Sequence, residues 1–414
     1  MTYKLKIFFG QMVIFSLYAL IKLLSFLPKK KKKKSDNVLV LTGTFYSKNW
    51  IDAHLLPLVT CQSVKHVYIV SNGLDYKLDG LTVVQPSEEL AKFTGSTIAR
   101  LISFTLCSIK NNPDYIGGFH ILFNGSISIL LANIFRCRSI YFSVGGVTET
   151  LVAGKTENSF FKFLDGKNDF LTTYICKIAA NATQVITMGK GAKAFLAENG
   201  VDNSNIHVIS GAIDKNIFYP PPVTVDKKYD LVLTARLSKV KQVNLLLEIL
   251  ALLKNKNFNC KALIIGDGPL YDLHNSQAIS FGVEHRVKFY TELDDASITP
   301  WIKNSVALIL PSSKPNEAFG IVQLEAMRLK VPVINTDINS TVPIVARHGE
   351  EAITVQRENP ADLAQAMRQL LENPELAEKL GKNGYARFLT EYTSDKYKFR
   401  LRNLIHSMVN REKT

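Results

Sequence analysis

Apolar and polar positions alternate along most of the chain in blocks that predict a repeated strand and helix. Short apolar runs, typical of buried parallel strands, are separated by stretches in which apolar residues recur every three or four positions, typical of amphipathic helices. The apolar runs occupy residues 37–41, 67–70, 140–144, 184–188, 206–210, 229–234, 261–265, 286–289, 306–310, 331–335 and 352–355. The helical patterns occupy residues 126–135, 190–199, 243–254 and 360–371. This alternation predicts an α/β chain with mostly parallel sheets.

Three consecutive prolines at 220–222 interrupt this alternation. Proline fixes its own φ and disfavours helix at the residue before it, so the run predicts a linker between domains. A chain of 414 residues is long enough for two such domains. We predict a first domain over 35–219, a linker over 220–228, a second domain over 229–385 and a C-terminal helix over 386–414.

The first 34 residues differ from the rest of the chain. Residues 7–27 are mostly apolar, and six lysines follow Pro28. A helix of this length spans about 30 Å, enough to cross a bilayer. A polar stripe along one side instead suits a helix lying in the membrane interface, and a cleaved secretion signal or a buried core helix are further alternatives. The polar stripe consists of Lys4, Gln11, Tyr18, Lys22 and Ser25.

Charge also separates this tail from the body of the chain. Residues 1–34 carry nine lysines and no acid, whereas the body carries 41 bases and 36 acids. Each lysine near an anionic leaflet contributes about 1 kcal/mol of attraction. If the segment spans, its heavier positive flank stays in the cytoplasm, so the body is expected at the cytoplasmic face of a membrane, anchored by the N-terminal segment. The body has no basic stripe with interleaved aromatics, so nucleic acid is not predicted as a partner.

The five cysteines are scattered along the chain without the spacing of a metal site or a redox pair. They are predicted to be buried, reduced thiols in a cytosolic compartment. No metal-binding residues are predicted.

Residues 311–333 carry the most informative motif, PSSKPNEAFGIVQLEAMRLKVPV. The apolar run at 306–310 enters a loop of small residues and then a helical pattern, a layout that presents backbone N–H groups to a phosphate. Glu317 and Glu325 stand eight positions apart in it. Because carboxylates accept hydrogen bonds from hydroxyl groups, Glu317 is predicted to contact a sugar and Glu325 a ribose.

The start of the helix in this motif would supply the phosphate contacts. A continuous helix would hold the two glutamates about 12 Å apart, so Glu317 is assigned to the loop and the helix is predicted to begin near Phe319. The first N–H groups of that helix and its dipole favour an anion. The predicted contacts are Phe319, Gly320, Ile321 and Val322.

Two further loops of the second domain point to the same ligand. Arg236 and Lys241 follow the apolar run at 229–234, at the strand end where open α/β sheets bind ligands, and two cations there can neutralise a diphosphate leaving group. Gly266 and Gly268 follow the next apolar run in the sequence GDGP. They would bring the backbone close to a ligand or simply form a tight turn.

Together these motifs resemble the retaining GT-B glycosyltransferases of the large group 1 family, which carry two glutamates separated by seven residues. The resemblance implies two Rossmann-like domains facing across a cleft, with the final helix crossing back to the first domain. It also implies that Arg236 and Lys241 bind the donor pyrophosphate, Glu317 the transferred sugar and Glu325 the ribose. It covers most of residues 37–395 and rests on ISGAID at 209–214, Arg236-Leu237 with Lys241, GDGP at 266–269, Pro311-Ser312, EAFG at 317–320 and LEAM at 324–327.

In the first domain the resemblance singles out His120, which is implied to face the sugar from the acceptor side. Gly43, after the first apolar run, is expected to bind substrate on the same side. Glu149 lies in a glycine turn and is expected to line the acceptor cleft, either as a base or as a residue that starts a helix. Gln242 and Lys330 stand where the family usually has glycine.

The sequence therefore predicts a retaining glycosyltransferase that uses a UDP- or GDP-sugar as donor and needs no cofactor or metal. His120, Arg236, Lys241 and Glu317 are the predicted catalytic residues. The basic anchor favours an anionic membrane surface as partner and a membrane glycolipid or lipid-linked saccharide as acceptor, in cell-surface polysaccharide assembly. Two alternatives stay open at this point: a sugar-nucleotide epimerase of the same fold, and a non-catalytic nucleotide-sugar-binding membrane tether.

Overall fold

The computed structural model describes residues 3–29, 37–44, 48–152, 160–214, 229–291, 295–315 and 317–410. The chain divides into two compact units: unit 1 contains residues 1–210 and 397–414, and unit 2 contains residues 211–396. The predicted linker at 220–228 lies outside the described residues, and so do Lys30 to Lys34 of the lysine run.

Unit 1 is a parallel sheet covered by helices, as the alternation predicts. Within the described residues its seven strands are ordered β3-β2-β1-β4-β5-β6-β7, and each neighbouring pair is parallel. Its elements are α1 Tyr3–Leu24, β1 Val38–Thr42, α2 Lys48–His54, α3 Leu56–Val59, β2 His66–Val70, β3 Leu81–Val84, α4 Glu88–Thr94, α5 Ser96–Asn111, β4 Tyr115–Phe119, α6 Ser126–Phe135, β5 Arg138–Ser143, α7 Asp169–Ala179, β6 Gln184–Thr187, α8 Lys190–Glu198 and β7 Ile206–Val208.

Unit 2 repeats this architecture. Within its described residues six parallel strands are ordered β10-β9-β8-β11-β12-β13. The last helix, α16, passes from unit 2 into unit 1 at residue 397. The elements are β8 Leu231–Thr234, α9 Val243–Asn255, β9 Ala262–Ile265, α10 Tyr271–Ser280, β10 Val287–Tyr290, α11 Asp295–Lys303, β11 Ala307–Leu310, α12 Val322–Arg328, β12 Val333–Thr336, α13 Val342–Val345, β13 Ala352–Val355, α14 Pro360–Glu372, α15 Pro374–Arg387 and α16 Ser394–Asn410.

Both sheets have a point at which the strand order reverses. In unit 1 the chain builds outward from β1 in one direction and from β4 in the other, and in unit 2 the same happens at β8 and β11. At such a point the loops after the two central strands diverge and leave a crevice at the carboxyl ends of the strands, where ligands of open α/β sheets bind. The residues that follow β1, β4, β8 and β11 are therefore the first place to look for chemistry.

Strand β4 is absent from the sequence-based prediction, and its glycines explain why. A glycine pair at Gly117 and Gly118 normally indicates a turn. In the sheet, a Cβ on Gly117 would lie 2.7 Å from Cδ2 of Leu41, and one on Gly118 would lie 2.4 Å from the backbone of Asn124. The glycines therefore allow close packing within a strand that is buried along its whole length.

The N-terminal helix α1 begins and ends a few residues earlier than predicted. Among the described residues it is the one helix that is long and apolar enough to cross a membrane, with a mean hydropathy of 2.0 over its most apolar window. Ile14 and Ile21 on one face of α1 are 0% exposed and join the core that α6 and α7 form on the sheet. All five cysteines are free and buried, as predicted.

Candidate active site

In unit 2 the structure brings together two of the predicted catalytic side chains. Lys241, in the 3₁₀ turn after β8, forms an ion pair with Oε2 of Glu317, in the segment after β11. The hydroxyl of Ser312 donates a hydrogen bond of 3.0 Å to the same carboxylate oxygen. The side chains of Lys241 and Glu317 are 21% and 13% exposed, so both keep access to water from the crevice. The pair lies at the reversal point of this sheet, between its two central strands.

The loops that carry this pair are fastened to each other. The backbone N–H of Ser313 donates to the carbonyl of Val240 at 2.9 Å, and Nε2 of Gln242 donates to Oγ of Ser313 at 3.2 Å. The hydroxyl of Thr336, at the end of β12, donates to the carbonyl of Ser312. These bonds fix the separation between the cation-bearing loop and the carboxylate-bearing segment.

The glycine turn after β9 supports the loop of Arg236. Gly266 has a φ of +141°, and a Cβ there would lie 2.0 Å from the carbonyl oxygen of Ala235. A Cβ on Gly268 would lie 2.5 Å from the carbonyl oxygen of Leu237, whose N–H donates to Asp267 at 2.8 Å. The turn thus packs directly under the backbone that carries Arg236, and the guanidinium projects into an exposed position.

Helix α12 begins at Val322, three residues after the predicted start at Phe319. The Phe319 side chain is 3% exposed and packs edge-on against the Tyr392 ring, so this residue contributes packing. Gly320 has a φ of +70°, a conformation that favours glycine, and a Cβ there would lie 2.6 Å from Leu310. This bend turns the chain into the helix after Ile321, where the N–H of Gln323 donates to the carbonyl of Gly320 at 2.9 Å and that of Leu324 to the carbonyl of Ile321 at 2.8 Å.

Glu325 lies in α12 itself, near its start, and is partly buried. The two glutamates of the motif are therefore on different elements, Glu317 before the helix and Glu325 within it, as the sequence predicts.

In unit 1 the structure brings His120 and Glu149 together. His120 follows β4 with a φ of +65°, and its Nδ1 lies 2.9 Å from Oε1 of Glu149 in the turn after β5. Three more donors reach the same carboxylate: the backbone N–H of Ile121 at 3.0 Å, the hydroxyl of Tyr141 at 2.7 Å, and the backbone N–H of Gly145. A carboxylate has about four lone-pair sites, so the acceptor capacity of Glu149 is filled.

These contacts indicate different roles for His120 and Glu149. Glu149 is 5% exposed and fully bonded, which leaves no lone pair for a substrate or for a role as a base. It instead holds the His120 ring in one orientation, whereas the ring itself is 40% exposed. The predicted substrate contact on this side is therefore His120, and the predicted contact at Glu149 is replaced by a positioning role.

Electrostatics reinforce this arrangement. Burial lowers the pKa of His120, but the charge of Glu149 and its hydrogen bond together outweigh burial and raise that pKa above its usual value. Burial also lowers the pKa of the neighbouring His54, at the end of α2, to about 3, with a smaller contribution from His120. Burial and the Glu149 carboxylate raise the pKa of Tyr141 well above 10, so its hydroxyl remains a donor. The pKa shifts of the two histidines therefore run in opposite directions, favouring the charged form of His120 and the neutral form of His54.

Gly43 comes directly after β1, and the next residue ties the central loops of this sheet together. Arg100 of α5 donates from Nη1 to the hydroxyl of Thr44 at 2.8 Å and from Nη2 to Oδ1 of Asn124 at 3.0 Å. Asn124 in turn donates to the carbonyl of Phe119, the last residue of β4. Gly43 and His120 thus flank the reversal point of the first sheet.

Sequence reasoning missed the residues that complete these two clusters. Ser312 stands directly after an apolar run, and a hydroxyl at that place is a signal that could have identified it. Tyr141, His54 and Arg100 carry no local signal. They reach the site only because β4, β5 and the helix ends become neighbours in the folded sheet.

Comparison with known proteins shows which family and which fold the chain resembles. The family model described as glycosyl transferases group 1 matches residues 215–387. The chain is 35% identical over 132 residues to the D-rhamnosyltransferase WbpZ of Pseudomonas aeruginosa, a match that covers 32% of this chain and 34% of that protein. It spans from 22% to 59% of the length of eight curated relatives that it matches.

Solved structures resemble the chain over nearly its whole length. Sucrose-phosphate synthase from Thermosynechococcus elongatus has a TM-score of 0.71 at 16% identity, covering 90% of this chain and 99% of that one. Anabaena Alr3699/HepE in complex with UDP-glucose has a TM-score of 0.67 at 16% identity, covering 89% and 99%. At such identities the likeness shows the fold, which is GT-B. The chain is similar to the group 1 glycosyltransferases over residues 215–387, within unit 2.

Proposed function

We propose that the chain is a retaining glycosyltransferase that moves a sugar from a UDP- or GDP-sugar to an acceptor. The observation that carries the proposal is the ion pair of Lys241 with Glu317 at the reversal point of the second sheet, with Arg236 in the same loop as Lys241. A diphosphate needs cations, a sugar hydroxyl needs an acceptor, and both occur there on loops that are bonded to each other. A structural neighbour solved with UDP-glucose supports a nucleotide-sugar donor.

The two cations act on the leaving group. When the bond between the sugar anomeric carbon and the phosphate oxygen breaks, the electron pair stays on the phosphate, and Lys241 and Arg236 stabilise the negative charge that develops. No resident metal is part of the proposal, because these two side chains supply the positive charge. Glu317 exchanges its bond to Lys241 for bonds to sugar hydroxyls, and Glu325 binds the ribose.

Retention follows if the acceptor attacks from the face that the leaving group vacates. The acceptor oxygen then forms the new bond to the anomeric carbon, and its proton passes to the departing phosphate oxygen. This route needs no carboxylate nucleophile, and Glu149, whose lone pairs are filled, does not supply one. His120 is the polar group that unit 1 offers to the substrate, held in place by Glu149.

The proposed acceptor is a membrane glycolipid or a lipid-linked saccharide at the cytoplasmic face of a membrane. Support comes from α1, whose composition permits membrane insertion, and from the lysines that follow it. A cytoplasmic location also fits five free cysteines.

The proposal is tested by incubating the purified full chain with a panel of UDP- and GDP-sugars. Thermal stabilisation and slow donor hydrolysis are measured for the wild type, Lys241→Ala and Lys239→Ala. Lys239 is an exposed lysine in the same 3₁₀ turn, so its variant removes the same charge without touching Glu317. Lys241→Ala is expected to lower hydrolysis about 100-fold, and Lys239→Ala to leave it nearly unchanged.

Equal effects of the two substitutions would contradict the assignment of Lys241. Conversion of the donor to a second nucleotide-sugar without any acceptor would identify an epimerase instead.

A further inference from the structure

Helix α1 is attached to unit 1 along its length. Ile14 and Ile21 are fully buried in the core formed with α6 and α7, and a Cβ on Gly10 would lie 3.0 Å from the ring of Phe161. Phe15 packs edge-on against Tyr174 of α7, with ring centroids 5.2 Å apart. One face of the helix is therefore part of the folded unit.

Polar contacts fasten the C-terminal end of α1 as well. The side chain of Asn133, in α6, donates to the carbonyl of Ile21 at 3.2 Å and accepts from the ammonium of Lys29 at 2.7 Å. Arg136, which ends α6, donates to the carbonyl of Pro28 at 2.8 Å. A helix held in this way cannot cross a bilayer unless α6 and α7 enter the hydrocarbon with it, where their polar side chains and the ends of the helices would lose water.

The outward face of α1 is apolar. Its large exposed side chains are between 41% and 76% exposed. They are Leu5, Phe8, Phe9, Met12, Phe15, Leu20 and Leu23, followed beyond the helix end by Phe26 and Leu27. A monomeric soluble protein seldom exposes so long an apolar stripe without a partner for it.

Helix α5 carries a second apolar stripe. Its exposed apolar residues are spaced at four, four and three positions, which places them on one side of the helix. The opposite side, with Phe104 and Cys107, is buried against the sheet. The stripe consists of Ile98 at 54%, Ile102 at 37%, Leu106 at 60% and Ile109 at 59% exposed.

The two stripes lie on the same side of unit 1. Phe104 of α5 shares a core cluster with Leu131 of α6, and Ile129 of α6 shares a second cluster with Ile14 of α1. Helix α5 lies in the connection from β3 to β4, and α6 lies in the connection from β4 to β5. Both connections run toward the β7 edge of the sheet, and since such connections are right-handed, the two helices lie on the same face. The surfaces of α1 and α5 that point away from this face are the two apolar stripes.

We propose that these two stripes form one surface on which unit 1 lies flat against an anionic bilayer, with α1 in the plane of the interface. Charge identifies the partner: residues 1–34 have nine lysines and no acid, and α5 has the exposed Lys110 and no acid. Aromatic and aliphatic side chains next to lysines suit the boundary between headgroups and acyl chains. The inference rests on the proposed membrane localisation but not on sugar transfer, so the two can fail separately.

The test measures co-sedimentation of the full chain with vesicles of phosphatidylglycerol and phosphatidylcholine. Leu106→Glu with Ile109→Glu is expected to weaken binding about tenfold or more, because two inserted aliphatic chains are lost. The matched control is Leu273→Glu with Ile279→Glu on α10 of unit 2, residues that are 51% and 62% exposed. Undiminished binding by the α5 variant, or equal weakening in the control, would overturn the proposal.

Two further measurements keep the test decisive if the charged variant folds poorly. Leu106→Trp keeps the position apolar, and its fluorescence should be quenched by brominated acyl chains; an unquenched signal rejects insertion of α5. If the stripe on α5 is instead a self-association surface, the wild type should be a dimer without lipid and the charged variant a monomer, while both bind vesicles equally. That result would overturn the proposal.

The orientation of α1 is tested with Lys4→Cys in protein bound to preformed vesicles. The five native cysteines are buried, so a membrane-impermeant maleimide reports on the new thiol. A helix in the interface leaves Cys at position 4 open to the reagent without detergent, as it does the exposed control Lys382→Cys. Protection of position 4 until detergent is added would show a spanning helix and overturn the proposal.

Discussion

Glu149 in unit 1 and Glu317 in unit 2 each follow a strand of a parallel sheet, β5 and β11, and each binds a basic side chain. Glu149 is 5% exposed and accepts from four donors, two of them backbone N–H groups. Glu317 is 13% exposed and is bonded to Lys241 and Ser312, two side chains. A carboxylate bound to backbone is part of the structure, whereas one bound to side chains at a crevice can exchange its partners for a ligand. The difference predicts that the first acts mainly on stability and the second on activity.

The largest effect is expected for Glu149→Gln. The amide nitrogen must face donors that now lack an acceptor, and the ion pair with His120 is lost, so the free energy of unfolding should fall by about 3–5 kcal/mol. Urea unfolding at pH 6 measures the change. Glu198→Gln, at an exposed position in α8, is the control and should change stability little.

The same substitution has a consequence for pH. Because the pKa of His120 is raised in the folded protein, the pair stabilises fully below the unfolded pKa of histidine and loses that contribution as the pH rises through the folded pKa. In Glu149→Gln the pKa of His120, followed by NMR of the imidazole protons, should fall. The loss of folding stability that the wild type shows as the pH rises through the His120 pKa should then disappear. An unchanged pKa would show that Glu149 does not control the ring.

Glu317→Gln is the next test and should have the opposite profile. Its turnover should fall about 100-fold, equivalent to about 3 kcal/mol, because the contact to the sugar is weakened in the transition state. Its stability should change by about 1 kcal/mol or less, because Lys241 is partly exposed and regains water. Glu372→Gln, which breaks the exposed pair with Arg368, is the control for loss of an acid in unit 2. A large loss of stability without loss of turnover would reverse the comparison.

The support of Arg236 is tested by Gly266→Ala. The added Cβ would overlap the carbonyl of Ala235, and φ at this position lies where side chains are strained, so the variant should lose about 2 kcal/mol of stability. The displaced loop should also weaken thermal stabilisation by the donor. Gly191→Ala in α8 meets nothing within 4 Å and should gain up to about 1 kcal/mol from helix propensity. If Gly266→Ala and Gly191→Ala changed stability equally, the GDGP turn would not have the supporting role that we assign to it.

The sequence predicts more of unit 2 than of unit 1, for a physical reason. The loops after β8, β9 and β11 carry their polar residues next to apolar runs. The sequence therefore predicts both the strand ends and the polar residues that follow them. In unit 1 the cluster depends on Tyr141 and His54, which are remote in sequence from His120, and on β4, whose two glycines suggest a turn. Cβ overlaps with Leu41 and Asn124 enforce those glycines, and such overlaps exist only in the folded sheet.

The strand at 81–84 was missed for a different reason. It lies at the edge of the first sheet and is only partly buried along its length, so it lacks the strong apolar signal of the central strands. The helix after β11 was placed too early because Phe319 fits a helical apolar period, whereas the positive φ of Gly320 delays the first turn.

The smallest effects are expected at Lys330 and Gln242, which stand where the glycosyltransferases that the chain resembles usually have glycine; both adopt a positive φ. Lys330 makes a backbone turn bond and an ammonium contact with the Tyr385 ring, so Lys330→Gly should remove strain and raise stability by about 0.5 kcal/mol. Gln242 also donates to Ser313 and so joins the two loops of the site.

Gln242→Gly should relieve the same backbone strain but lose the hydrogen bond to Ser313. We therefore expect no net rise in stability and weaker donor binding. Thermal unfolding without a UDP-sugar measures stability, and the shift caused by adding the UDP-sugar measures donor binding. Lys330→Ala keeps the backbone strain but removes the ammonium, so it separates the effect of strain from that of the ammonium contact. If both glycine variants were stabilised equally and bound donor equally, Gln242 would be a backbone substitution like Lys330, and the loop that carries Lys241 would not depend on its side chain.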